Sequence, residues 1–212
     1  MIDLAELVAP GHTALVTQEC QGATVGPEAA LPQLAEIAQR VAIPNVARLA
    51  AAARAAAVPV VHCVAMRRDD GQGSNHNARL FLGILKNGVP LRPGTPAVEV
   101  VPEIGVDDRD LVLSRLHGLG PMGGTDLDPV LRNLGVTTIV GVGVSVNVAI
   151  TNFAMDAVNH GYQFVLPRDA VAGIPERYAD DVIDNTLSLI ATVTTTDDVV
   201  AAWSATAGGG GG

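Results

Sequence analysis

Lysine is nearly absent. Of 212 residues only Lys86 is a lysine, and twelve arginines carry the rest of the positive charge. Against 22 Asp plus Glu, these 13 cations leave a formal net charge of −9. A chain so balanced lacks the basic face that phosphate backbones and anionic lipid surfaces require, so neither nucleic acid nor membrane is expected as a partner. Long apolar runs are missing too. None reaches the ~20 residues of a membrane span, and Asp3 and Glu6 stand where a secretory leader carries basic residues. Cysteine occurs twice, as Cys20 and Cys63, each inside an apolar strand-like run. Two such residues make neither a disulfide framework nor a zinc-finger pattern. The five histidines form no cluster at metal-ligand spacing, and no H-E-x-x-H occurs. No metal and no cofactor is expected, and the reading is of a cytoplasmic protein.

What is present suits a packed core. Hydrophobic residues make up 48% and charged residues 17%, a balance unlike that of disordered chains. Short runs rich in strand formers lie at His12–Thr17, Val58–Ala65, Asp110–Leu113, Thr137–Val142, Tyr162–Leu166 and, more weakly, Ala191–Thr195. They lack polar alternation, which predicts strands covered on both faces. Helical patterns fill the intervals: Leu31–Ala57, with Pro44 expected to kink or split it, Asn77–Leu85 closed by Asn87-Gly88, Thr125–Leu134, Ser145–His160 and Pro175–Leu189. Alternating strands and helices predict βαβ units. The expected fold is α/β, a single-domain three-layer αβα sandwich over residues 1–207, with a mostly parallel sheet of five or six strands. Gly208–Gly212 reads as a flexible tail or cloning remnant.

In a parallel sheet, ligands gather beyond the carboxyl ends of the strands. The candidates are therefore Gln18, Glu19, Cys20 and Gln21 after the first strand, and His62, Cys63 and Arg67 at or after the second. Ser114, Arg115 and His117 follow the third, and Ser145 and Asn147 follow the fourth. The loops 66–77 and 86–109 are long enough to be functional. The Gly-rich turn His117–Gly124 lacks a nucleotide-binding fingerprint and reads as a turn covering the substrate.

The run Ala14–Gln21 resembles the first strand of the isochorismatase-like (cysteine hydrolase) superfamily, where an acid and a glutamine stand one residue apart after an apolar strand. Gly143-Val144-Ser145-Val146-Asn147-Val148-Ala149, continuing to Asp156-Ala157 and Gly161-Tyr162, is similar to that family's nucleophile loop and helix. Gly124–Leu127, Leu131–Gly135 and Arg168-Asp169-Ala170 complete the resemblance, which covers roughly residues 12 to 200.

The resemblance implies an Asp base, a Lys and a Cys nucleophile, and here the sequence departs from it. Glu19 stands at the Asp position, and Arg115 is the nearest cation to the Lys position. Ala149 stands where the nucleophilic cysteine belongs. A thioester route is therefore not expected from that position. Isochorismatases proper also lack the cysteine and cleave a vinyl ether with a carboxylic acid and water, which would make Glu19 a general acid or base. Arg115 would clamp an anionic substrate group, pair with Glu19, or do both. Ser145, Asn147, Ala149, His117, His76 and Arg79 are the expected substrate-binding residues. Ser145 and Asn147 also suit helix capping, and the Val144–Ser145 peptide is the place of the family's cis bond. The Asp-x-His zinc arrangement of some relatives is poorly matched by Asp69-Asp70-Gly71 and Ser74–Asn77. A relocated thiol nucleophile at Cys20 or Cys63 is disfavoured, because cysteines in such runs behave as buried hydrophobes. The family habit favours a homodimer or homotetramer. The competing reading is a catalytically silent relative that binds a small molecule or partners an oligomer.

Overall fold

Six consecutive buried residues, Thr13–Gln18, form β1, the strand on which the sheet is built. The computed structural model describes residues 3–86 and 89–207; the Asn87-Gly88 helix stop and the Gly208–Gly212 tail lie outside them. The other elements, in chain order, are α1 (Leu4–Leu7), α2 (Gly22–Val25), α3 (Pro32–Ile37), α4 (Ile43–Ala55), β2 (Val60–Ala65), α5 (Arg79–Lys86), β3 (Leu111–Arg115), α6 (Leu127–Asn133), β4 (Thr138–Val144) and α7 (Thr151–Asn159). Then come β5 (Gln163–Pro167), β6 (Val171–Ala172), α8 (Glu176–Asn185), β7 (Thr192–Thr194) and α9 (Thr196–Ala207). Among the described residues, no helix is long and apolar enough to cross a membrane.

The strands pair in the order β3-β2-β1-β4-β5-β7, with β6 alongside β4, and every pairing is parallel. The sheet thus has seven strands rather than five or six. The extra one, β6, is two residues long, too short to carry a periodic signal. Alternate residues sort to the two faces. Leu15, Val60, Val140 and Val165 join α3, α4 and Trp203 of α9 on one side. Val16, Val61, Ile139 and Phe164 join α6, α7 and α8 on the other. Pro44 does not split its helix. A π-turn at Ala38–Ala42 carries α3 directly into α4, and Pro44 stands just past it, where the widened turn accommodates the proline ring and its missing N–H.

The chain runs outward through β1, β2 and β3 and then returns to lay β4 on the other side of β1. The reversal of strand order between β1 and β4 opens the crevice where such sheets bind ligands. At that crevice Gly143 has φ +111, and a Cβ on it would sit 2.3 Å from the Gln18 carbonyl oxygen, so only glycine lets β4 pass this close to β1.

Beneath the crevice a buried polar chain ties β3 to the rest of the sheet. Arg54 of α4 donates to Asp110 Oδ2 at 2.6 Å, and Asp110 Oδ2 lies 3.3 Å from His62 Nε2. Thr17 Oγ1 lies 2.9 Å from His62 Nδ1. A neutral imidazole protonated at Nε2 satisfies both of its contacts, donating to Asp110 and accepting from Thr17. His62 is fully buried. Burial lowers its pKa below the usual 6.5 and outweighs the hydrogen bond and charge of Asp110, which act the other way. The unfolded chain therefore binds more protons on this residue than the folded one. Its contribution to stability is complete above the unfolded value of 6.5 and is lost progressively as pH falls below it toward the lower folded value. Chemical denaturation at pH 7.5, 6.5 and 5.5 should give a midpoint that drops over this interval, with a shallower slope for His62→Gln. A midpoint flat or rising toward pH 5.5 contradicts the neutral, buried assignment.

Candidate active site

The parallel register sets Gln18 beside Cys63, Cys63 beside Leu113, and Ala65 beside Arg115. Three strand ends therefore finish at nearly one level. Immediately past β1 the backbone turns at Glu19, whose φ of +52 is left-handed and unusual for a residue with a side chain. Its N–H donates to the Cys63 carbonyl at 2.9 Å, and its carboxylate accepts from Arg115 Nη2 across 96 positions of sequence. Two residues on, the amide of Gln21 reads both backbone groups of Ala65. It accepts from the N–H at 2.6 Å, donates to the carbonyl at 2.8 Å, and donates to Ala97 at 3.0 Å. Gln21 thus locks the turn that carries Glu19 to the end of β2 and to the 86–109 connection. The sequence pattern places it correctly, but its role as a clamp emerges only from these contacts.

On the other side of the crevice, β4 ends in a cis peptide between Val144 and Ser145. A π-turn at Val146–Ile150 then leads into α7. Ser145 occupies the cap position but makes no side-chain capping bond. It faces a cavity together with Val148 and Ala149.

That cavity contains about 160 Å³ of space and is lined by Glu19, Arg115, His117, Ser145 and Ala149. It therefore brings five of the eight expected site residues together. Asn147 is not among them. Residues two apart on a helix do not share a face, and its amide instead donates to the Ile174 carbonyl at 3.3 Å. His76 and Arg79 are exposed and also lie outside the lining, although their neighbours Asn75 and Leu80 belong to it. The cavity further includes Arg67, Ser74 and one face of α5. Arg67 follows the strand-end rule; the apolar pairs Leu80-Phe81 and Ile84-Leu85 belong to the helical pattern of Asn77–Leu85, which does not mark them as a cavity wall.

The polar groups at the floor are incompletely partnered. Arg115 has a side chain only 5% exposed, and its Nε and Nη1 are buried without a hydrogen-bond partner, as are Arg67 Nε and Ser74 Oγ. Buried donors in this condition call for an acceptor. The two thiols stand apart from the cavity lining. Both cysteines are buried. Burial first, and then the Glu19 carboxylate, pushes the Cys20 pKa up to about 12. Cys63 is likewise pushed up to about 12 by burial, with Arg115 opposing. A thiol so placed is not ionised near neutrality and is a poor nucleophile. Among the described residues, no three His, Cys, Asp or Glu side chains are grouped to hold a metal ion.

A carboxylate–guanidinium pair at the switch point of a parallel sheet, opening into a small and largely apolar cavity, defines an α/β protein with an enzyme-type small-molecule site. Residues 13–198 match the isochorismatase domain model, and the chain belongs to the isochorismatase family. It is similar to the uncharacterized isochorismatase family protein YwoC of Bacillus subtilis, 37% identical over 92 residues, which are 43% of this chain and 46% of that protein. A second similar protein is the uncharacterized family member YecD of Escherichia coli O157:H7, 30% identical over 112 residues, which are 49% of this chain and 58% of that one. The chain thus spans about half the length of the curated relatives it matches. Among solved structures, a cysteine hydrolase from Pseudomonas syringae superposes with a TM-score of 0.78 at 25% identity, covering 94% of this chain and 96% of that one. An N-carbamoylsarcosine amidase from Thermoplasma acidophilum shares the fold, with a TM-score of 0.70, 24% identity and coverage of 88% and 97%.

The burial of both thiols has a direct chemical consequence. A colourimetric disulfide reagent at pH 7.5 should titrate neither Cys20 nor Cys63 in the folded protein within minutes, and both after denaturation. Rapid reaction of a thiol in the folded state would show that one of them reaches solvent and the cavity.

Proposed function

We propose that the protein is a hydrolase of a small organic anion that works by water attack, without a cysteine nucleophile. The observation that carries this reading is the position of Ala149. It faces the same cavity as Glu19 and Arg115, and it stands where the family resemblance requires the attacking thiol. A methyl group there leaves room for a water molecule and offers no nucleophilic atom. Glu19 is the general base and acid. Its carboxylate accepts a proton as the water oxygen bonds to the electrophilic carbon, and the same proton then goes to the leaving group. In a vinyl ether the carboxyl group acts first as acid. Arg115 orients Glu19 through Nη2, and its unpartnered Nε and Nη1 suit an anionic substrate group. His117 and Ser145 border the reacting space. The start of the helix after β4 offers backbone N–H groups to charge developing on oxygen. His76, Arg79 and Asn147 are left out of the substrate contacts because they lie outside the cavity lining. The same reading takes the protein as a cytoplasmic homodimer or homotetramer. Leu111 and Val112, which are exposed on the edge strand β3, would supply apolar surface for the assembly to cover.

The test is a comparison of variants on whichever of a vinyl-ether, amide and ester panel is turned over. Glu19→Gln should lose at least about a hundredfold in kcat, the lower end for a general acid–base group. Cys20→Ala with Cys63→Ala should stay within about tenfold, or ~1.4 kcal/mol in barrier. The opposite order would make a thiol the nucleophile. No turnover of any member by the folded wild type would favour the silent-relative reading.

A further inference from the structure

The cavity contains more apolar wall than hydrolysis at a Glu–Arg pair requires, and one side of that wall comes from α5. This helix is eight residues long, shorter than helices that persist unaided in water. None of its residues is buried. Leu80, Phe81, Ile84 and Leu85 form one face and line the cavity, while Leu82 points away and is 51% exposed. Such a face on a marginal helix has no core to join; it borders empty space.

The opposite end of the same space is cationic. Two guanidinium groups, Arg67 and Arg115, line the cavity against one carboxylate, Glu19. Arg115 is more than nine-tenths removed from solvent, with a side chain 5% exposed, and retains two unpartnered N–H-bearing nitrogens. The excess is one positive charge, which one anionic group on a ligand would neutralise. The space of about 160 Å³ is comparable with the ~150 Å³ apolar cavity that admits benzene.

From these observations we infer that the site takes an amphipathic monoanion. A carboxylate-type head lies at Arg115 and Arg67, and an apolar tail the size of a phenyl ring or a butyl-to-hexyl chain lies against α5. The inference rests on the proposed site but not on its chemistry, since it concerns what the cavity holds rather than what is done to it. Desolvation of the tail supplies affinity, and the head sets orientation by balancing the positive end of the space. Filling the space also gives α5 the apolar contacts it lacks, so the helix should become better ordered when the ligand is bound.

Calorimetric titration of the wild-type protein with acetate, butanoate, hexanoate and phenylacetate, and with hexanamide as the neutral control, tests this directly. The dissociation constant should fall about threefold to fourfold per methylene from acetate to hexanoate, as ordinary apolar burial predicts. Hexanamide should bind at least about tenfold more weakly than hexanoate. Phe81→Ala should weaken hexanoate and phenylacetate several-fold and leave acetate unchanged. The chain-length series needs no variant, so a misfolded Phe81→Ala would not spare the proposal. A flat series, equal binding of amide and acid, or no measurable binding of any carboxylate overturns it. Failure of the hydrolase reading is distinguishable. A steep series with an unaffected Glu19→Gln leaves the ligand class standing and removes the chemistry. A flat series with an inactive Glu19→Gln does the reverse.

Discussion

The contact between Glu19 and Arg115 is the constraint around which the site is arranged. It joins the end of a central strand to the end of an edge strand, with β2 lying between them. An edge strand is the least anchored part of a sheet, and β3 exposes Leu111 and Val112. Arg115 can hold its position only if β3 is fixed at its other end as well. The buried chain from Arg54 through Asp110 to His62 and Thr17 provides that second anchor. One polar network holds the start of β3, and the ion pair holds its finish. Buried pairs of this kind are costly to form and more costly to break on one side. Here the two sides are unequal, because Arg115 is more deeply buried than Glu19, whose side chain is 21% exposed. Loss of Glu19 strands a buried cation, whereas loss of Arg115 leaves a carboxylate that water can partly reach.

Much of this was legible in the sequence, for reasons that can be stated residue by residue. Parallel strands covered on both faces are written as unbroken apolar runs, so β1, β2, β4 and β5 appear within a residue or two of their expected limits. β3 falls within the same margin, running two residues past Leu113 to Arg115, because a polar pair, Ser114-Arg115, ends the apolar run before the hydrogen-bond ladder ends. β6 leaves no trace, since two residues have no period. In the site, Glu19 and Arg115 follow from the strand-end rule, which depends only on topology. Asn147 fails because helical phase, not proximity in sequence, decides which side chains share a wall. His62 was a strand-end candidate too, yet alternation turns it inward to Thr17 and Asp110. What no sequence reading could reach are the orphaned nitrogens of Arg67 and Arg115, because the absence of a partner is a property of the folded surroundings.

The thiols show how the same environment decides chemistry. Cys20 and Cys63 flank the site in sequence, at the ends of β1 and β2, and both lie within reach of the field of Glu19. Burial and that negative charge both raise their pKa values. For Cys63 the opposing charge of Arg115 does not prevail over burial. A carboxylate at this strand end is thus an obstacle to thiolate formation beside it.

The frame around Ala149 is costly in a way that packing alone does not explain. Gly143 is held at a positive φ with no space for a Cβ, Glu19 is held left-handed, and Gln21 spends its whole amide on backbone groups. Left-handed backbone at a non-glycine residue costs of order 1–3 kcal/mol and persists only where its surroundings over-determine it. A purely structural turn after β1 could relax by moving Glu19 into solvent, and Arg115 could be replaced by an apolar residue without loss of stability. Instead the turn aims a carboxylate at a buried guanidinium whose remaining donors face no protein acceptor. That combination of a strained turn, a completed clamp and an uncompleted cation is the pattern of a site whose last partner arrives from outside the chain.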